Sequence, residues 1–399
     1  MAMDTGGTTD KFRTIQAREA TPQRLLAQQY GGGHTRGWVD YLPARYVPWI
    51  QLCRLSPPAA LFLVYFPNVF GVLHAVTAQR GTSIITSTST NGSRFDGSSF
   101  NCNTASVATT SPAEIVRACV VLFVASFFGS NAAHAWNDLV DAPLDAKVAR
   151  TRGRPIPRGA ISARAAGLFA VSQAACLLAV LRLGLPSPQA HNAVAAALPA
   201  LLGTAYYPFA KRQSELPQLV LGFCLTWAIM VGSSAVGVAS STLSSPSPWT
   251  DPSTLALLSA AVLWVVIFDT IYAHQDVADD QRAGIGSAAV LLLRLRRSRA
   301  SPLIGRLPLW GLLGAMVAGL VASGYLAGMG APYYALAVGG PALSVGTMVA
   351  NVDLDDPKDC WLWFSQGFWA TGLAIVAGLG LEYLRRSGGF ELRAVFEVM

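Results

Sequence analysis

The fold class predicted for this 399-residue chain is all-α: a polytopic membrane protein with nine transmembrane helices. Three observations predict it. Hydrophobic residues make up 52% of the chain and charged residues only 13%, with a mean hydropathy of +0.41. Apolar runs of about 20 residues recur, which is the length that crosses a hydrocarbon core. Lys and Arg gather in alternate loops, the pattern that keeps loops on the cytoplasmic side.

Each run is bounded by charged or turn-forming residues. The first, 59–77, opens after Ser56-Pro57-Pro58 and stops short of Arg80. The second, 114–136, ends on an acidic stretch that begins at Asn137. The third, 161–182, leaves a basic loop and ends before Gly184 and Pro186. The fourth, 190–207, closes near Lys211-Arg212, and the fifth, 217–238, opens at Pro217. The sixth, 254–273, follows Asp251-Pro252 and runs into a second acidic stretch. The seventh, 307–329, starts behind Arg306, and the eighth and ninth, 331–351 and 361–384, flank the acidic segment Asp353–Asp359. Ile285–Leu293 is apolar but too short to span, and reads as part of an interfacial loop.

Charge then sets orientation. Loop 146–164 carries Lys147, Arg150, Arg152, Arg154, Arg158 and Arg164, and loop 281–306 is similarly basic. With nine spans these loops share the cytoplasmic face, so the N-terminus is cytoplasmic and the C-terminus lumenal. Arg385 and Arg386, at the lumenal end of the last helix, run against the rule. Residues 1–45 form a polar, flexible segment whose acids make it a weak transit peptide, and no cleavable secretory signal is visible. Residues 46–385 form the transmembrane domain, and 386–399 a short tail. The lumenal loop 78–113 is rich in Ser, Thr and Asn; its Asn91-Gly-Ser93 sequon makes Asn91 a candidate glycosylation site.

The net charge of +7 needs no anionic macromolecule, because the basic loops explain it. No basic–aromatic module points to nucleic acid. The six cysteines form no CxxC pair and no metal spacing, and most lie in apolar runs as small hydrophobes. No feature calls for an obligate protein partner.

Asn137-Asp138-Leu-Val-Asp141-Ala-Pro143-Leu-Asp145 and Asp276-Val-Ala-Asp279-Asp280 hold six of the 22 acidic residues. Carboxylates beside a bilayer are costly and mark pathways or sites. Asn137, Asp141 and Asp145 repeat every four residues, as do Asp276 and Asp280, and Asp269 falls on the same helical face seven residues before Asp276. Pro143 is expected to end the second helix, so that the first set converges at a broken helix end. Oxygen ligands of this kind suit magnesium bridged to phosphates. Lys147, Arg150, Arg152 and Arg154 follow directly and suit phosphate oxygens. Solvated helix ends, a calcium site or a proton pathway are the competing readings, and an ion-coupled transporter is the non-enzyme alternative.

Along about 330 residues, from Tyr46 to near Tyr383, the chain resembles the UbiA superfamily of intramembrane prenyltransferases. The first cluster with its trailing Lys147…Arg154-Pro155 follows the family's NDxxDxxxD pattern. Asp269-Thr-Ile-Tyr-Ala-His-Gln-Asp276 through Asp280 looks like its second motif, and Tyr207-Pro-Phe-Ala-Lys211-Arg212 like its connecting segment. The resemblance implies nine helices around a central cavity with a polar cytoplasmic cap. It implies that Asn137, Asp141, Asp145, Asp276 and Asp280 hold Mg2+ bridged to a prenyl diphosphate, which Lys147, Arg150 and Arg154 contact. Tyr207 and Lys211 match cavity-lining positions.

The chain departs from the family in the length of loop 78–113, longer than expected, and in two motifs. Gly284-Ile-Gly-Ser287 replaces a G-x-K-S run, so a cation is missing, and Arg54-Leu-Ser-Pro-Pro58 replaces the R-x-D-K-P of ubiquinone-type members. The second change, with Tyr30-Gly-Gly-Gly-His34, looks more like fungal meroterpenoid enzymes. The expected reaction is therefore farnesyl transfer to a ring carbon of a phenolic acid of polyketide origin, in endoplasmic reticulum membrane. The alternative is a mitochondrial 4-hydroxybenzoate polyprenyltransferase; a terpene cyclase of the same superfamily is a third option. Asp269 is the candidate base or phenol-orienting group and Arg54 a candidate partner for an acceptor carboxylate. His134 is expected to line the cavity, His274 to pack, and Asp353–Asp359 to cap a helix.

Overall fold

Polar caps and prolines start the helices where the hydropathy changes. Ser111 accepts a hydrogen bond from the Glu114 backbone N–H at 3.3 Å while the Glu114 carboxylate takes the Ser111 N–H at 2.8 Å, with Pro112 in the first turn. Asp251 caps the Thr254 N–H at 2.9 Å, again ahead of a proline, and Asp356 caps the Lys358 N–H.

The computed structural model describes residues 37–90, 110–148, 150–237, 249–299 and 306–388. Asn91 and most of the N-terminal segment and C-terminal tail lie outside them. The helices are α1 (Val47–Leu52), α2 (Ala59–Thr90), α3 (Pro112–Asp145), α4 (Ala163–Gly184), α5 (Ser187–Gln213), α6 (Pro217–Thr226), α7 (Ala228–Ala235) and α8 (Pro252–Ala273). They continue with α9 (Val277–Ala283), α10 (Ala288–Arg299), α11 (Leu307–Leu326), α12 (Gly339–Asn351) and α13 (Pro357–Arg386). Among the described residues nine segments are long and apolar enough to cross a membrane, and each overlaps a run expected from hydropathy. The fifth is broken at Trp227 into α6 and α7, and the eighth opens with a π-helical turn, Tyr333–Val338.

One expectation is corrected. Pro143 does not end α3, which runs on to Asp145. Proline removes one N–H and so one backbone bond, but it lies in the last turn, where Ala146 N–H still reaches the Ala142 carbonyl at 3.2 Å. Asn137, Asp141 and Asp145 therefore stand on one continuous helical stripe.

The core is centred on α8, whose Trp264, Phe268 and Ile271 meet Phe70 of α2 and Phe368 of α13. Where α2 crosses α7, Gly71 and Gly232 bring the backbones together. A Cβ on Gly71 would lie 2.0 Å from the Ile229 carbonyl oxygen, and one on Gly232 2.0 Å from that of Asn68. Arg385 and Arg386 prove not to be free loop charges. Glu382, fully buried, accepts from both (2.6 and 2.9 Å) and from the Gly330 N–H (2.9 Å), while Arg386 also donates to the Thr77 carbonyl at 2.8 Å. One of the two positive charges is offset internally by Glu382, which halves their topogenic weight.

Candidate active site

The stripe on α3 faces a cavity of about 260 Å³ at the end of the bundle that carries the basic loops. Asn137, Asp141 and Asp145 line it from one side, and Asp269 of α8, Asp276 of the 3-10 turn His274–Asp276 and Asp280 of α9 from the other. Two acidic clusters 124 residues apart in sequence, counted from Asp145 to Asp269, thus share one chamber.

Cations are interleaved with these acids. Lys211 Nζ donates to Asp141 Oδ2 at 2.7 Å and to Asn137 Oδ1 at 3.2 Å, and rests over the Tyr207 ring at 4.7 Å. Arg150 Nε donates to Asp276 Oδ1 at 2.8 Å and its Nη2 pairs with Oδ2, while Nη1 reaches the Tyr272 hydroxyl at 3.1 Å. Arg154 Nη1 donates to Asp145 Oδ2 at 2.8 Å. Burial works against the charge on Arg150, but the Tyr272 and Asp276 oxygens outweigh it and hold its proton more tightly than usual. Burial is likewise overcome at Arg154 by Asp138 and Asp145. Both guanidinium groups are permanently charged tools. Lys147, by contrast, is exposed and does not line the cavity.

Spacing alone gives Asp138 no role; the structure makes it a hub behind the chamber wall. It is fully buried and takes Arg54 Nη2 at 2.7 Å and Arg154 Nη1 at 3.1 Å on the same oxygen. Arg54 reaches it from a left-handed backbone conformation (φ 53°) that non-glycine residues adopt only at a cost. Tyr272 is a second residue that the sequence reading missed. It faces the chamber, packs on Phe364 at 4.6 Å and lies beside Trp361, so with Phe268 it builds an aromatic wall. The only sequence signal for it is its place between Asp269 and Asp276.

Other expected residues fall as follows. His134 lines the chamber with Nδ1 2.7 Å from the Ser130 carbonyl oxygen. His274 is packed away from it, against the Thr270 carbonyl at 2.8 Å. Asp355 in the acidic loop pairs with Arg296 (2.8 and 3.0 Å), and the Arg296 hydrogen bonds hold its carboxyl below the usual range. Gly286, at the missing cation, donates its N–H to the Lys211 carbonyl at 2.9 Å, and a Cβ there would lie 2.1 Å from the Ser214 carbonyl oxygen.

The donor set fits a hard divalent cation. Every candidate ligand supplies oxygen, and Asp141 Oδ1 is buried with no hydrogen-bond partner, Arg212 Nη2 lying 3.9 Å away. Among the described residues no three His, Cys, Asp or Glu side chains converge closely enough to hold an ion by themselves.

Comparison with known proteins gives the family and the fold. Residues 102–372 match the UbiA prenyltransferase family. A mitochondrial 4-hydroxybenzoate polyprenyltransferase of Schizosaccharomyces pombe is 29% identical, covering 94% of this chain and 89% of the relative. Polyprenyl transferase prhE of Penicillium brasilianum is 31% identical, covering 88% and 96%. A UbiA homolog from Archaeoglobus fulgidus bound to GPP and Mg2+ has the same fold, with a TM-score of 0.53, 16% identity, and coverage of 84% of this chain and 99% of that one.

Proposed function

The chain belongs to the UbiA prenyltransferase family, and from that premise we propose that it transfers a farnesyl group from farnesyl diphosphate to a ring carbon of a phenolic acid of polyketide origin. The observation that carries this reading is the interleaving of Asp141, Asp145 and Asp276 with Lys211, Arg154 and Arg150 in one chamber. A magnesium-bound diphosphate offers each partner of these ion pairs a replacement: metal for the carboxylates, phosphate oxygens for the cations. Transporter chemistry is set aside by the family membership.

Asn137, Asp141, Asp145, Asp276 and Asp280 would hold the metal, which supplies Lewis-acid neutralisation of the departing diphosphate. Arg150, Arg154 and Lys211 stabilise the developing charge, as preorganised donors do in a low-dielectric site. The aromatic wall of Phe268, Tyr272 and Phe364 faces the allylic carbon and stabilises positive charge there, while the membrane-embedded walls exclude water. Asp269 lies beside Gln218, whose Oε1 is fixed by the Ala288 N–H at 3.0 Å. It orients the phenol or takes the proton released on rearomatisation. Arg54 meets the acceptor carboxylate.

The Arg54–Pro58 departure supports a secondary-metabolite acceptor, and the weak transit character of residues 1–45 an endoplasmic reticulum location. Membranes given farnesyl diphosphate, Mg2+ and an orsellinic-acid-type phenol should release diphosphate and yield a C-farnesylated product by mass spectrometry. Wild-type release by both Asp141→Ala and Asp276→Ala would remove the enzyme assignment to this chamber. Turnover of 4-hydroxybenzoate with long-chain donors alone would remove the acceptor assignment.

A further inference from the structure

Arg54 and Arg154 both line the polar chamber, whereas Asp138, which joins them, does not. The two arginines end on one oxygen: Asp138 Oδ1 takes Arg54 Nη2 at 2.7 Å and Arg154 Nη1 at 3.1 Å. The other oxygen, Oδ2, is buried without a hydrogen-bond partner, and so is the Nε of each arginine. Buried polar atoms left in this state are costly and call for a reason. The sharing is also unequal. Arg154 has a second carboxylate, Asp145 Oδ2 at 2.8 Å, while Asp138 is the one carboxylate paired with Arg54 among the described residues.

We propose that Asp138 is a positioning residue that couples the two substrate sites: when the donor diphosphate draws Arg154 away, Asp138 becomes the partner of Arg54 alone and fixes it for the acceptor carboxylate. This coupling rests on the prenyl-transfer reading and deepens it. Asp138 is fully buried, and a buried carboxylate cannot be left without a cation. Once Arg154 Nη1 turns to phosphate oxygens, Arg54 is the cation that remains, so it is held in place rather than free to swing. The carboxylate can then turn Oδ2 onto Arg54 Nε. One new bond satisfies both orphaned atoms and converts the contact into a bidentate fork. A guanidinium has five N–H donors, so the fork uses two and leaves three for a carboxylate in the chamber. An arginine ordered before the acceptor arrives also removes the side-chain ordering cost from acceptor binding. Donor and acceptor therefore strengthen each other's binding, by the same factor in both directions.

Equilibrium binding without turnover tests this. The donor probe is farnesyl thiolodiphosphate with Mg2+, which binds but does not react, and the acceptors are an orsellinic-acid-type phenol and the same ring without its carboxyl group. The decarboxylated ring supplies the baseline, because it reports every donor–acceptor contact that bypasses Arg54. In wild-type protein the donor probe should lower the Kd of the acid at least about five-fold more than that of the decarboxylated ring, the lower edge of ordinary coupling between sites. Asp138→Asn should abolish this excess, because a neutral amide has no need of a cation. A merely structural loss would weaken both rings alike and leave the excess unchanged. In case that buried substitution lowers the yield of folded protein, Arg54→Lys is the second variant. Its ammonium is a point charge without a fork, so it should still bind the acid but gain nothing extra from the donor. No excess in wild-type protein, or an excess that survives in either folded variant, overturns the proposal. Failure of the underlying reading looks different: wild-type protein would then release no diphosphate from any isoprenyl donor.

Discussion

Replacing Asp138 by Asn should damage the fold more than the metal dependence, and Asp141→Asn should do the reverse. The two residues sit one turn apart in one motif, but their surroundings differ. Asp138 is fully buried and its Oδ1 takes both Arg54 and Arg154. Arg154 is itself 8% exposed, so losing the carboxylate strands positive charge away from water. Breaking a buried pair costs about 3–5 kcal/mol, and because Arg154 retains Asp145 at 2.8 Å the lower end, about 3 kcal/mol, is expected. Asp141 faces the chamber, and its partner Lys211 is 22% exposed with Asn137 in reach. Asp141 is itself only 4% exposed, but the cation left behind lines the cavity and keeps Asn137, so the loss should cost about 1 kcal/mol, below the range for a fully buried pair. The assay is a melting curve of detergent-purified protein beside diphosphate release titrated with Mg2+. Asp138→Asn should melt several degrees lower with an unshifted Mg2+ midpoint; Asp141→Asn should melt as wild type with its midpoint raised at least ten-fold. A raised midpoint and unchanged melting for Asp138→Asn would show that Asp138 ligates the metal and that its salt-bridged orientation is not the working one.

Further outcomes follow from the same geometry. Arg150→Ala removes a donor aimed at the leaving group and should lower kcat by about 10²–10³-fold, as loss of one preorganised donor does, with farnesyl diphosphate binding measured separately to show the site intact. Lys211→Met should lower kcat comparably and abolish any salt-bridge stabilisation of Asp141, read as an altered Mg2+ midpoint in the same titration. Gly286→Lys, which restores the family's cation, should reduce folded yield rather than raise activity, because its Cβ would collide with the Ser214 carbonyl oxygen; higher kcat at wild-type yield would refute this. Glu382→Ala leaves Arg386, 4% exposed, without its carboxylate. It should cost about 3–5 kcal/mol, seen as a lower melting temperature with kcat of the surviving protein unchanged.

Much of the donor site is legible in the sequence because charge is scarce there. In an apolar chain, Asp141, Asp145, Asp276 and Asp280 stand out by type and by four-residue spacing, and all four do line one chamber. Their ion partners are less legible. Arg150 meets Asp276 across 126 residues, a pairing that no local period encodes. Lys147 and Arg150 look alike in a basic loop, yet only Arg150 turns inward. Pro143 does not end α3 although it costs the helix one backbone bond, because the last turn closes beyond it through the Ala146 N–H and the Ala142 carbonyl.

Specificity is harder to read for a different reason. An apolar cavity of about 270 Å³ between α3, α4 and α5 is lined by Ala133, Ala174, Ala200, Leu201 and Leu225, residue types that transmembrane helices also use for packing. A cavity arises from side chains that fail to meet, and no single position records that. Pocket-lining and packed alanines are the same letter; only the paths of α3, α4 and α5 tell them apart. Diphosphate chemistry needs rare charged residues and so leaves a motif, whereas chain length and acceptor shape are set by volume, which many sequences can enclose. On the proposed reading, the aspartates answer for what leaves the donor and helix packing for what the donor carries.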